Sequence, residues 1–98
     1  MITVEHDDRG QIHDIKIQGH ARYAKAGKDI VCAGASTLAF TLAEALEKID
    51  DAAVKISYDG DMLRIVAVKC PKGDLVIDTI MNGYCLLEEN YPKNIEVI

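Results

Sequence analysis

An α+β fold, with a mostly antiparallel sheet in one layer and two helices on one of its faces, is predicted for this 98-residue chain by three observations. Apolar residues alternate in short segments near its start, in its middle and at its end. In two longer stretches they recur at three- and four-residue steps. Turn-forming residues separate the alternating segments in pairs, as hairpins require. The order that results is ββαββαβ, and hairpins imply mostly antiparallel pairing with the helices covering one face. The length suits one domain, residues 1–98.

Residues 1–6 set Ile2 and Val4 against Thr3 and Glu5, the pattern of a half-buried strand. "DDRG" (7–10) is turn chemistry, with aspartates first and a glycine for a positive φ. Residues 11–18 form the second strand of a hairpin, with Ile15 and Ile17 on one face and Lys16 on the other. Residues 19–29 lack periodicity and read as a loop. From about 30 to 50, Val31, Ala35, Leu38, Leu42, Leu46 and Ile49 form one helical stripe, with Asp29 where an N-cap belongs. Strand three covers about 53–58, with Val54, Ile56 and Tyr58 on one face. "DGD" (59–61) makes a tight turn, and strand four covers about 62–68. Pro71 and Gly73 break that strand. A second helix runs from about 74 to 89 with the stripe Val76, Ile80, Tyr84 and Leu87, Pro92 stops it, and "NIEVI" is a short fifth strand.

Hydrophobic residues make up 49% and charged residues 28%, the composition of a soluble globular protein. No apolar run approaches the roughly 18 residues of a membrane span, and the first residues carry no signal-peptide pattern, so no membrane association and a cytoplasmic location are expected. A net charge of −5 argues against direct binding of nucleic acid and favours a basic protein or peptide partner. The three cysteines, 32, 70 and 85, suggest neither a disulfide framework nor a zinc site, so no metal or cofactor is expected. Cys70 and Cys85 read as structural, and His6 and His13 as surface residues.

The stretch "GHARYAKAGKDIVCAGAS" (19–36) does not look like ordinary core. With Asp29 as N-cap, Cys32 falls in the first helical turn, where unpaired N–H groups and the helix dipole favour the thiolate, the attacking form of cysteine. Backbone N–H groups at this helix start, including those of Ala33 and Gly34, are candidate donors to an oxyanion. His20 ends strand two, where it could pair with Cys32 and protonate a leaving amine. Asp29 could orient the imidazole, cap the helix or do both. Ser36 lies one turn after Cys32 on the same face. The connecting loop 21–28 reads as a mobile lid, with Gly19, Ala21 and Gly27 as its pivotal positions. Phe40 lies off the main stripe and is expected half-exposed or in a dimer contact.

The run Gly19-His20-Ala21, then Gly27, then Asp29-Ile30-Val31-Cys32-Ala33, then Ser36 resembles the signature of the ribosomal-processing cysteine protease family, abbreviated Prp. That signature is G-H-A, a short loop, G-x-D-I-V-C-A and a serine four residues on. The element order and the closing "YP-x-x-I-x-V" at Tyr91 to Val97 are similar too, so the resemblance covers the whole chain while its specificity lies in residues 19–36. It implies a small cytoplasmic homodimer that removes an N-terminal extension from the twenty-seventh large-subunit ribosomal protein, cutting after a hydrophobic, aromatic-ended motif. By motif position, Cys32 is then the nucleophile and His20 the base, while Asp29 and Ser36 match the other polar positions. Gly34 departs from the family's Ala, while Ala35 falls where the family has Ala or Val, and a glycine at 34 costs about 1 kcal/mol of helix stability. The competing function is a non-catalytic ribosome-assembly or peptide-binding module that keeps the motif for packing. A thiol redox role lacks a resolving cysteine near Cys32.

Overall fold

The computed structural model describes residues 1–21, 24–25 and 29–98. In chain order they form β1 (Ile2–Arg9), β2 (Ile12–Gln18), α1 (Ile30–Glu47), a 3-10 turn (Asp50–Ala52), β3 (Lys55–Tyr58), β4 (Met62–Val68), α2 (Pro71–Asn90) and β5 (Ile95–Val97). The strands make one sheet in the order β3-β4-β2-β1-β5. Only the β1–β5 pair is parallel, with Ile2 opposite Ile95 and Val4 opposite Val97. The α+β architecture is therefore the one the sequence predicts. Helix α2 begins earlier than expected. Pro71 is its first residue, where a missing N–H costs nothing because that group has no helical partner.

Alternation assigns the faces. Ile2 and Val4 of β1, Ile15 and Ile17 of β2, and Leu63, Ile65 and Ala67 of β4 point to the helical layer, and all are buried. They meet Val31, Ala35, Ala39, Leu42 and Leu46 of α1 and Ile77, Ile80 and Tyr84 of α2. The helices lie close where Leu87 packs over Gly34, and the buried Tyr84 hydroxyl donates to the Ala35 carbonyl at 2.8 Å. Helix α1 has the length and apolar composition to cross a membrane, contrary to the sequence expectation, but here its apolar stripe forms the centre of the core.

The face of strand three that carries Ile56 and Tyr58 is open, at 37% and 61% exposed, because β3 is an edge strand beyond the helical cover. Two further expectations are corrected. His13 is buried, since odd-numbered residues of β2 face the helices. Its Nε2 lies 2.7 Å from Asp74 Oδ1 and its Nδ1 2.9 Å from His6 Nε2. Cys85 is exposed, whereas Cys70 is half-buried at the N-cap of α2. On the sheet face away from the helices, the buried Asp14 carboxylate is held by Arg9 and by a two-pronged contact from Arg64, at 3.0 and 2.8 Å. The Arg64 hydrogen bonds hold the Asp14 carboxyl below the usual carboxylate range against the opposing effect of burial.

Candidate active site

The segment that leaves β2 is anchored by its glycine. Gly19 has φ +95°, and a Cβ on it would stand 2.4 Å from the Met1 carbonyl oxygen, so no other residue fits this conformation. The turn throws His20 outward, with its side chain 70% exposed, and Ala21 inward, only 2% exposed. The Ala21 N–H donates to Cys32 Sγ at 3.2 Å, and the Ala21 carbonyl accepts from Asn94 Nδ2 at 2.9 Å. Gly19 and Ala21 are thus tied down rather than free to swing with a lid. Gly27, the third lid position, lies outside the described residues.

Helix α1 begins as its sequence dictates. Asp29 is extended, and its Oδ1 accepts from the N–H groups of Val31 at 3.0 Å and Cys32 at 2.9 Å. Of the two roles open to Asp29, helix capping is therefore realised. This cap also changes the oxyanion assignment. The Ala33 N–H is bonded to the Asp29 carbonyl at 3.1 Å, and helical geometry directs the Gly34 N–H to the Ile30 carbonyl. Neither is available to a substrate oxygen. The donor that reaches the sulfur comes instead from the β2–α1 connection, at Ala21. An N–H bond of this kind is strongest when the acceptor carries charge, so it suits a thiolate.

Cys32, half-buried, opens into a cleft between the β2 end of the sheet and the first turns of α1. Ile2, Ile17, Ala35, Ala39 and Leu63 give it an apolar floor, and Ser36 and His20 stand on its rim. The structure therefore brings Cys32, His20 and Ser36 to one cleft. Phe40 and Tyr58 form an aromatic wall, edge to face with centroids 6.1 Å apart. The half-exposed position expected for Phe40 is observed, at 53%. His20 Nε2 lies 4.0 Å from Asp61 Oδ1 in the β3–β4 turn, which is braced by Asp59 accepting from the N–H groups of Asp61 and Met62. Among the described residues no group of three or more His, Cys, Asp or Glu side chains could hold a metal. A thiol, an imidazole and an extended apolar wall in one open cleft suit covalent attack on a peptide that carries apolar side chains.

Sequence reasoning missed Tyr58 and Asp61, which reach the cleft only through the β3–β4 pairing with Tyr58 opposite Leu63. It also missed Asn94, which arrives from the far end of the chain. The one available signal for Asn94 was its place inside the closing "YP-x-x-I-x-V" pattern.

The chain matches the family model described as cysteine protease Prp over residues 1–96. A ribosomal processing cysteine protease Prp of Staphylococcus aureus is 32% identical over 103 residues, covering 99% of this chain and 97% of the relative. The crystal structure of the S. aureus protease Prp with a covalently linked product peptide is similar at a TM-score of 0.89 and 33% identity, covering 99% of this chain and 97% of that one. The same protease in complex with a substrate peptide is similar at a TM-score of 0.75 and 29% identity, covering 100% and 98%.

Proposed function

Because the chain belongs to the ribosomal processing cysteine protease family Prp and is a cysteine protease, we propose that Cys32 and His20 carry its chemistry and that its substrate is the N-terminally extended twenty-seventh protein of the large ribosomal subunit. The observation that carries the site assignment is the Cys32 sulfur, which accepts the Ala21 N–H in a cleft it shares with His20. The exposed imidazole has room to turn from Asp61 toward the sulfur and take its proton.

The thiolate of Cys32 attacks the scissile carbonyl carbon, and the carbonyl π electrons move onto oxygen. The Ala21 N–H, released from the sulfur as the C–S bond forms, is then free to donate to that oxyanion. Collapse of the intermediate breaks the C–N bond, and the amine leaves with the proton held by His20. A thioester remains on Cys32. Water, deprotonated by His20, then attacks the thioester, and the sulfur leaves and recovers its proton. The apolar floor and the Phe40–Tyr58 wall suit hydrophobic and aromatic residues before the cut. The net charge of −5 favours capture of a basic ribosomal protein before it meets ribosomal RNA, which agrees with a cytoplasmic location.

The test is incubation of the purified protein with the extended ribosomal protein from the same genome, read by mass spectrometry. One cut that removes the extension is expected, with Cys32→Ala and Cys32→Ser inactive and His20→Ala retaining peptide binding with little turnover. Binding of the extension without cleavage by the unmodified protein would contradict the assignment. The homodimer implied by the family belongs to the same proposal, and sedimentation of that preparation at twice 10.7 kDa is its readout.

A further inference from the structure

We propose that Asn94 is a positioning residue of the active site, acting on Cys32 and His20 through the backbone of Ala21. Its side-chain amide donates to the Ala21 carbonyl at 2.9 Å. A carbonyl can only accept, so the amide must present its NH₂ group here, and its orientation is determined by the partner. Asn94 is itself held on both sides: its backbone N–H donates to the Tyr91 carbonyl at 2.9 Å, and its carbonyl accepts the Ile2 N–H at 2.9 Å. The side chain therefore starts from a braced backbone at the edge of the sheet and reaches across to a residue 73 positions earlier in the chain.

What it holds there matters chemically. Ala21 immediately follows His20, and its N–H is the donor on the Cys32 sulfur at 3.2 Å. On the other side of His20, Gly19 is fixed by its close approach to the Met1 carbonyl. Among the described residues Asn94 thus supplies the one side-chain donor on the Ala21 carbonyl, and without it the Ala21 end of the segment keeps only its buried methyl and its N–H contact to the sulfur. With that donor lost, the N–H moves off the sulfur and the imidazole loses its fixed origin. Asn94 acts through its bond to Ala21, and it is not among the residues that line the cleft, so its effect falls on reaction rate more than on peptide binding.

The inference rests on the assignment of Cys32 and His20 above, and its test separates the two. Asn94→Asp keeps the shape but replaces the donor with a carboxylate oxygen, Asn94→Ala removes the group, and Asn94→Ser shortens it. In each variant Cys32 is alkylated with iodoacetamide, and the exposed Cys85, outside the cleft, serves as internal reference. Cleavage of the extended ribosomal protein gives kcat and KM, and circular dichroism gives the folded fraction. Per folded molecule, the Cys32/Cys85 labelling ratio and kcat are expected to fall at least about fivefold, the scale of one lost hydrogen bond, with KM within about twofold. Labelling and kcat unchanged in the folded variants would overturn the proposal, as would failure of all three to fold. If Cys32→Ala cleaves at the unmodified rate, the site assignment and this proposal fall together. If it is inactive while the folded Asn94 variants behave normally, only this proposal falls.

Discussion

At the residue scale, the site depends on a few positions where one side chain alone is compatible with the backbone. Gly19 is the sharpest case. Its φ of +95° costs a side-chain-bearing residue about 1–3 kcal/mol, and a Cβ would meet the Met1 carbonyl oxygen at 2.4 Å. Gly19→Ala is therefore expected to lower the unfolding midpoint and to reduce cleavage per folded molecule, because relief of the contact moves His20 and Ala21 together. Thermal unfolding and a cleavage assay on the same sample check this; unchanged turnover in a destabilised variant would show that the His20 segment tolerates displacement. The Cys32–His20–Ser36 grouping was legible in the sequence because it sits in one short stretch with helix-start chemistry. The hydrogen bonds of that stretch were not legible. Whether Asp29 caps the helix or serves the imidazole, and whether Ala33 or Ala21 offers the N–H, depends on backbone directions that spacing does not encode.

At the scale of elements, polar residues join the sheet to the second helix. His13 of β2 donates from Nε2 to Asp74 in the first turns of α2, and its Nδ1 shares a hydrogen bond with His6 Nε2 of β1. Burial, aided by the proximity of His13, pushes the His6 imidazole below its ordinary 6.5. Asp14 and Asp74 are both held below 3.8, Asp14 by the Arg64 hydrogen bonds and Asp74 by that of His13. The signs follow by linkage. The unfolded chain protonates His6 more readily than the folded one, so this contribution is complete above pH 6.5 and is lost as pH falls through the lower folded value. The carboxylate contributions are complete above about 3.8 and are lost as pH falls through their depressed values. Denaturant midpoints measured against pH are expected to decline in two stages, the first starting near 6.5 and the second below 3.8. His6→Gln is expected to remove the first and leave the second. A first stage that survives the substitution would assign it to another group. Reading His13 as a surface residue failed because a histidine is compatible with either face of a strand, and the facing carboxylate came from a helix 61 residues away.

On the scale of the whole molecule, the fold works as a frame that brings four separate parts of the chain to one end of the sheet. The β2 exit carries His20, the start of α1 carries Cys32, the β3–β4 hairpin adds Tyr58 and Asp61, and the approach to β5 adds Asn94. The α+β class and the element order were legible because periodicity and turn residues mark them locally. Strand order was not: that β3 is an edge strand, and so leaves Ile56 open and Tyr58 open at the cleft, follows only from the assembled sheet. The central claim is that Cys32 becomes acylated by the peptide it cuts. The direct measurement is rapid mixing of the protein with the extended ribosomal protein, an acid quench within one turnover, and intact mass followed by peptide mapping. The account predicts a transient adduct on Cys32 whose mass equals the removed extension less one water, absent from Cys32→Ala. Cleavage that proceeds with no adduct on Cys32, or equally well in Cys32→Ala, would contradict it.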